Sequence, residues 1–92
     1  MSDITEQLKN YTVLCVEDED GIRKRLVNTL KYYFADVYEA SNGEEGYELY
    51  YEYKPSIIIS DIKKKKKNGI ELISEIRKND LNTIIIMLTA YS

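Results

Sequence analysis

Three short aliphatic runs constrain the fold of this chain more than any other feature. They occupy residues 13–16, 57–59 and 84–88, and a polar or acidic residue follows each of them closely. Uninterrupted apolar runs of this length are typical of strands that helices cover on both faces of a parallel sheet. The sequence therefore predicts three buried strands whose carboxyl ends carry polar side chains.

A helical period fills the first gap between these runs. Ile22, Leu26, Leu30 and Phe34 are spaced four apart, which predicts one helix with a single apolar stripe. The acids before Ile22 suit the positive end of such a helix. A further short strand is expected at residues 37–40.

Two more helices are expected further along the chain. Ser41 and Glu44 have the spacing of a capping box, and Pro55 ends the helix that they begin. Asn68 is the expected cap of the last helix. The inner stripes of these two helices are predicted to be Gly46, Leu49, Tyr50 and Tyr53, and Leu72, Ile73 and Ile76.

The predicted element order is β-α-β-α-β-α-β, after a short helical turn or loose arm in residues 2–10. Strands that alternate with helices predict right-handed crossovers and a parallel sheet. With no internal repeat or linker, residues 1–92 are expected to form a single α/β domain.

The composition excludes several kinds of site. The chain has no histidine and one cysteine, Cys15, so neither a histidine-based triad nor an intrachain disulfide is expected. A metal would be held by oxygen ligands, which favours a hard cation such as Mg²⁺. The absence of a disulfide fits a cytoplasmic protein, and no run reaches the ~20 apolar residues of a membrane span. A net charge of −3 does not favour nucleic-acid binding.

Polar groups at the ends of three predicted strands carry the expected chemistry: Glu17 with Asp18, Asp61, and Thr89. Ligands of open parallel sheets bind at the carboxyl ends of the strands. Clustered carboxylates repel one another unless a cation lies among them, and an aspartate is able to act as a nucleophile toward phosphorus. Each feature alone has a simpler explanation. The acids of residues 17–20 suit a helix N-terminus, and Asp61 suits a turn.

Four segments together resemble the receiver domain of two-component response regulators, a family that includes chemotaxis regulators. Residues 13–19 resemble its first strand and acidic pocket, and residues 57–62 resemble its third strand with the acceptor aspartate. Residues 68–72 resemble the start of its third helix. Residues 86–90 resemble its fourth strand with a switch threonine. The segments keep the family's order and spacing across nearly the whole chain.

The resemblance implies a role for each matching residue. Asp61 would accept a phosphoryl group from a partner histidine kinase. Asp18 would coordinate Mg²⁺ directly and Glu17 through water, while Asp61 and the backbone carbonyl of Lys63 would complete the protein ligands. The chain would then be a signalling domain rather than an enzyme.

The resemblance also implies a flavodoxin-like sheet with strand order 2-1-3-4. Thr89, with the small residue Ala90 beside it, would bind the phosphoryl oxygen and report its presence. In the family, a helix, a fifth strand and a final helix follow, with a phosphoryl-binding lysine after that strand. The 92 residues contain none of these, so we expect impaired activity and, at 84–88, an uncovered edge strand. Such an edge favours a homodimer or a domain-swapped oligomer.

The lysine run at residues 63–67 departs from the family pattern. Lys64 and Lys65 stand where an apolar residue and a proline are usual. The run suits a solvated basic loop, natural or engineered. A weak nucleic-acid patch, or a lysine that reaches the phosphoryl site, are the alternatives.

Three other functions compete with a phospho-acceptor. The first is a self-associating flavodoxin-like fragment without phosphoryl chemistry. The second is a phosphatase-like hydrolase, which is disfavoured because Lys63 stands where a second acid would be needed. The third is nucleic-acid binding through the lysines, or through stacking on the tyrosines of residues 47–53, which we expect instead to pack on a helix.

Overall fold

The computed structural model describes residues 4–61 and 69–88, without the side chains of Thr5, Asp61 and residues 69–71. Helices and strands alternate along these ranges. The elements are α1 (Ile4–Leu8), β1 (Thr12–Val16), α2 (Asp20–Leu30), β2 (Asp36–Ala40), α3 (Gly43–Tyr53), β3 (Ile57–Asp61), α4 (Gly69–Arg77) and β4 (Ile84–Leu88).

The four strands form one parallel sheet in the order β2-β1-β3-β4, which confirms the predicted order 2-1-3-4. Val16 at the end of β1 lies opposite Ala40 on one side and Ser60 on the other. Asp61, the last residue of β3, lies opposite Leu88 at the end of β4. All four strands therefore end at the same edge of the sheet.

The main core lies between the sheet and the helices α3 and α4. Leu14, Ile58, Leu72 and Ile76 are each at most 1 % exposed there. Burial of a Leu or Ile side chain contributes roughly 1.5–3 kcal/mol each, so this layer supplies much of the stability. On the other face of β1, α2 contributes Val27 as its buried residue.

Gly46 brings α3 unusually close to the end of β1. A Cβ atom at this position would lie 2.9 Å from Cγ2 of Val16 and 3.4 Å from Cδ2 of Leu72. Val16 is β-branched and stiff at χ1, so it has little freedom to move away. Because Gly46 has no side chain, α3 packs close to β1, the strand that precedes Glu17 and Asp18.

The helix α2 differs from its predicted stripe. It ends at Leu30, so Phe34 lies beyond it, and Ile22 and Leu26 are only half-buried. The inward line of α2 also includes Arg23, whose side chain is only 13 % exposed. Periodicity missed this because a charged residue counts as outward unless its partners are known.

The start of α3 is shifted by one residue from the predicted capping box. Asn42 is the cap, and its side chain accepts a hydrogen bond of 2.8 Å from the Glu45 backbone N–H. The carboxylate of Glu45, not that of Glu44, reaches back to the backbone N–H and hydroxyl of Ser41. The two reciprocal bonds of a capping box are present in a displaced form, because Asn caps helices as well as Ser does.

The predicted inner stripe of α3 is correct at Gly46 and Tyr50, which are buried. Tyr53 is 47 % exposed and stacks on Tyr38 with ring centroids 4.4 Å apart. Pro55 ends the helix as expected, with Lys54 in the left-handed region at φ 48°. The expected cap of α4, Asn68, lies outside the described residues.

Candidate functional site

The register of the sheet brings two of the predicted acidic segments to one place. Val16 and Ser60 are paired across β1 and β3. Glu17 and Asp61 are each the next residue beyond that pair. Adjacent strands lie about 4.8 Å apart, so these two backbones leave the sheet side by side.

Glu17 is held tightly at the end of β1. It is only 5 % exposed, and its backbone N–H donates a hydrogen bond of 3.0 Å to the carbonyl of Ala40. Its Oε2 accepts a hydrogen bond of 2.8 Å from the backbone N–H of Glu19. The loop after β1 is therefore closed around the Glu17 carboxylate, while Asp18 is exposed at its apex.

Arg23 connects three segments around this loop. Its Nη1 donates to the carbonyl oxygen of Glu17 at 2.9 Å, and its Nη2 donates to Asp20 Oδ1 at 2.6 Å. Its Nε donates to Glu39 Oε1 on β2 at 3.1 Å. The hydrogen bond to Asp20 is the main cause that raises the Arg23 pKa above its ordinary value. Sequence reasoning missed this residue, although its position three residues after Asp20 on a helix is a signal for such a pair.

The remaining predicted residues are described only in part. The backbone of Asp61 lies at the end of β3 opposite Leu88. Lys63, Thr89 and Ala90 lie outside the described residues.

The donor groups fit a hard cation. Glu17 and Asp18 offer carboxylate oxygens, which Mg²⁺ prefers, and the edge of the sheet adds the end of β3. Among the described side chains, which do not include that of Asp61, no three of His, Cys, Asp or Glu come together as a metal site.

Cys15 lies under the acidic loop but is not a candidate nucleophile. Burial, followed by the negative charges of Glu17 and Glu39, raises its thiol pKa from 9.0 to about 11. A thiol with this pKa is protonated near neutral pH, and the thiolate is the reactive form.

The helices of the described ranges include none that has the length and apolar character to cross a membrane.

Comparisons with known proteins agree with the fold. The family model for the response regulator receiver domain matches residues 13–92. The chain is 40 % identical over 78 residues to the chemotaxis protein CheY of Halobacterium salinarum, covering 85 % of this chain and 65 % of that protein. It is 36 % identical over 84 residues to an uncharacterised response regulatory protein of Staphylococcus epidermidis, covering 88 % of this chain and 33 % of the relative.

Solved structures show the same similarity. The response regulator TrrA of Thermotoga maritima, in complex with Mg²⁺-BeF, is 35 % identical with a TM-score of 0.80; the match covers 89 % of this chain and 71 % of TrrA. The N-terminal domain of an uncharacterised protein of Wolinella succinogenes is 32 % identical with a TM-score of 0.82, covering 89 % and 66 %.

The chain spans about a third of the length of the staphylococcal relative and about two thirds of CheY. The family model covers the chain from the second residue of β1 through β4. On this ground the chain belongs to the response regulator receiver domain family, whose members are two-component signalling domains rather than enzymes.

Proposed function

We propose that this chain is a phospho-acceptor that takes a phosphoryl group from a histidine kinase onto Asp61. The register that sets Asp61 at the end of β3, beside the loop that follows β1, is the observation that carries this proposal. A carboxylate oxygen of Asp61 would attack the phosphorus of a phosphohistidine. A P–O bond forms, the P–N bond breaks, and the imidazole nitrogen keeps the electron pair.

The acids around Asp61 would hold the cation that this transfer needs. Asp18 would bind Mg²⁺ directly, Glu17 through water, and Asp61 and the Lys63 carbonyl would complete the protein ligands. Bound Mg²⁺ supplies positive charge that offsets the repulsion between the carboxylates and the phosphoryl oxygens. The Mg²⁺-BeF complex of TrrA supports this assignment by similarity.

Two residues after β4 would contact the phosphoryl group itself. We assign Thr89 as the hydroxyl donor to a phosphoryl oxygen, with Ala90 leaving space beside it. In support, Asp61 and Leu88 are paired, so the chain after β4 begins next to the acceptor.

The intact mass of the protein tests the proposal directly. After incubation with Mg²⁺ and acetyl phosphate, we expect the wild type to gain one phosphoryl group and the Asp61→Asn variant to gain none. Omission of Mg²⁺ should slow the gain. A wild type that stays unmodified while folded, or an Asp61→Asn variant modified to the same extent, would contradict the proposal.

The rate of the same reaction tests one further expectation. If a lysine of residues 63–67 assists the phosphoryl transfer, replacing Lys64 and Lys65 by alanine will slow phosphorylation. An unchanged rate in that double variant would exclude this role.

We also propose that two copies associate through β4, by edge pairing or by exchange of elements. Ile84, Ile86 and Leu88 are 56, 44 and 38 % exposed, and the strand carries no charge. The opposite edge strand, β2, carries Asp36 and Glu39, which oppose strand addition. A bare aliphatic edge pairs readily with another strand, and a second copy presents the same edge.

Sedimentation velocity over a range of concentrations measures this association. We expect dimers in the wild type and monomers in an Ile86→Lys variant, since a charge on this face opposes pairing. A Lys24→Ala variant, altered on the exposed side of α2, should still dimerise. A wild type that remains monomeric at high concentration would refute the proposal.

We propose a cytoplasmic location from the state of the single cysteine. Cys15 is buried and not in a disulfide, which suits a reducing compartment. Fractionation of cells that express the chain, with Cys15 probed by a thiol reagent after unfolding, would test it.

A further inference from the structure

We propose that Arg23 is a positioning residue: it fixes the loop of residues 17–20 in the conformation that presents Glu17 and Asp18 to a divalent cation. This inference rests on the proposed phospho-acceptor function, which assigns those two side chains to the cation. It adds a residue on α2 that acts through the conformation of this loop.

The three bonds of Arg23 reach both ends of the loop and a neighbouring strand. Nη1 binds the Glu17 carbonyl, where the loop leaves β1, and Nη2 binds Asp20, where α2 begins. Nε binds Glu39 of β2. The guanidinium therefore ties the start and the end of the loop to the rigid sheet.

The bond to the Glu17 carbonyl has a direct consequence for the cation ligands. That carbonyl belongs to the peptide unit that joins Glu17 to Asp18. A peptide unit is planar, so holding its oxygen orients the Cα atoms of both residues. Glu17 Oε2 also accepts a hydrogen bond from the Glu19 N–H, and this bond restricts the backbone conformations of the loop further.

Only arginine meets this geometry. A guanidinium has five N–H donors in a fixed planar fork, and here three nitrogens point to three separate acceptors. A lysine at position 23 keeps the charge but offers one ammonium, which has no fork geometry. Comparing the two side chains separates positioning from simple charge neutralisation.

We expect Arg23→Lys to lower the stability of the fold only slightly, compared with its effect on the cation affinity. The carboxylate side chains that bind Arg23 are largely exposed, at 77 % for Asp20 and 47 % for Glu39. Ion pairs with partners this exposed contribute little to folding because water screens them. A change in cation affinity without a matching change in melting temperature would therefore reveal positioning rather than general support of the fold.

Arg25 supplies a matched control on the same helix. Its Nε donates only within α2, to the Gly21 carbonyl at 3.4 Å, and its side chain is exposed. Arg25→Lys makes the same chemical change two residues from Arg23 without touching the loop after β1.

The experiment measures two quantities in wild type, Arg23→Lys and Arg25→Lys. Isothermal titration calorimetry with MgCl₂ gives the cation affinity. Amide hydrogen exchange by NMR, without Mg²⁺, reports the Glu19 N–H that binds the Glu17 carboxylate. We expect roughly tenfold weaker Mg²⁺ binding and faster Glu19 exchange in Arg23→Lys, as outer-shell substitutions typically weaken metal sites 10–100-fold. Arg25→Lys should match the wild type in both.

The outcomes separate this inference from the proposed function. Wild-type affinity and exchange in Arg23→Lys would overturn it. Weaker affinity with unchanged Glu19 exchange would overturn it too, because the loop would then keep its conformation without the Arg23 hydrogen bonds. If the wild type binds no Mg²⁺, the phospho-acceptor proposal fails, and the Glu19 exchange rate alone decides the role of Arg23: faster exchange in Arg23→Lys supports it and an equal rate overturns it.

Discussion

Asp80 organises the turn between α4 and β4 through a set of hydrogen bonds. Its carboxylate accepts from the backbone N–H groups of Asn82 and Thr83 at 2.9 and 3.1 Å, and from the Thr83 hydroxyl. It also accepts from the hydroxyl of Tyr50 on α3 at 2.7 Å. One side chain thus fixes the entry to β4 and attaches it to a helix that packs on the core.

The hydrogen bond from the Tyr50 hydroxyl to Asp80 should contribute measurably to the stability of the fold. Tyr50 is 4 % exposed and its bond goes to an ionised group, so Tyr50→Phe should lower the free energy of unfolding by about 1–3 kcal/mol. Tyr47, half-buried one turn earlier on α3, provides the control, and Tyr47→Phe should change it by less than ~0.5 kcal/mol. Urea denaturation measures both. Equal changes in the free energy of unfolding in the two variants would show that the hydrogen bond from Tyr50 to Asp80 adds no measurable stability.

The Asp80 carboxylate also predicts a dependence on pH. Hydrogen bonds from Thr83 and Tyr50 hold its pKa well below the ordinary 3.8. A depressed folded-state pKa means that its stabilising effect is complete above about pH 4 and is lost as pH falls below that value. We expect the stability difference between wild type and Asp80→Asn to shrink from pH 7 to pH 3. A difference that stays constant over this range would contradict the assignment.

Tyr50 extends the same prediction to high pH. Burial, then the bond to Asp80, raises its pKa from 10.0 to about 12. Because the folded-state pKa is raised, its contribution is complete below pH 10 and lost as pH rises through 12. Ultraviolet titration of the phenolates should therefore show an ionisation step near pH 12 in the wild type that is absent from Tyr50→Phe.

At the scale of the elements, the contact between α3 and β1 decides how the acidic loop is supported. Gly46→Ala would place a methyl group 2.9 Å from the Val16 side chain. We expect a loss of about 1–2 kcal/mol in the free energy of unfolding, because overpacking outweighs the better helix propensity of alanine.

Gly21→Ala is the matched control on α2. Apart from its chain neighbours and the backbone of α2, no atom of the described residues lies within 4 Å of a Cβ at Gly21, so only the helix propensity changes there. This variant should be unchanged or more stable by up to ~1 kcal/mol. Thermal unfolding of the two variants compares them, and a stable Gly46→Ala protein would show that α3 is able to shift away from β1.

At the scale of the whole molecule, the proposed association through β4 would make stability depend on protein concentration. Association that occurs only in the folded state stabilises it by mass action, so the melting temperature should rise with protein concentration. In Ile86→Lys the melting temperature should be independent of concentration. Differential scanning calorimetry at several concentrations tests this, and a constant value in the wild type would argue against self-association of the folded chain.

The sequence by itself determined the element types and the topology. The aliphatic runs at 13–16, 57–59 and 84–88 became β1, β3 and β4, because short apolar runs between helical periods admit a parallel sheet and few other arrangements. Pro55 ended α3 where expected, since it bars the preceding residue from helical geometry. The same reasoning predicted that Glu17 and Asp18 follow β1 and that Asp61 lies at the end of β3.

Only the tertiary structure decided which partners the polar residues have. Periodicity treated Arg23 as an outward charge, yet three acceptors hold it inward, one each from the loop after β1, from α2 and from β2. The bond between Tyr50 and Asp80 spans thirty residues of sequence and was not foreseen. Local patterns record which residues repeat along a helix or strand, whereas these bonds depend on distances between elements. Those distances are fixed only when the helices pack on the sheet.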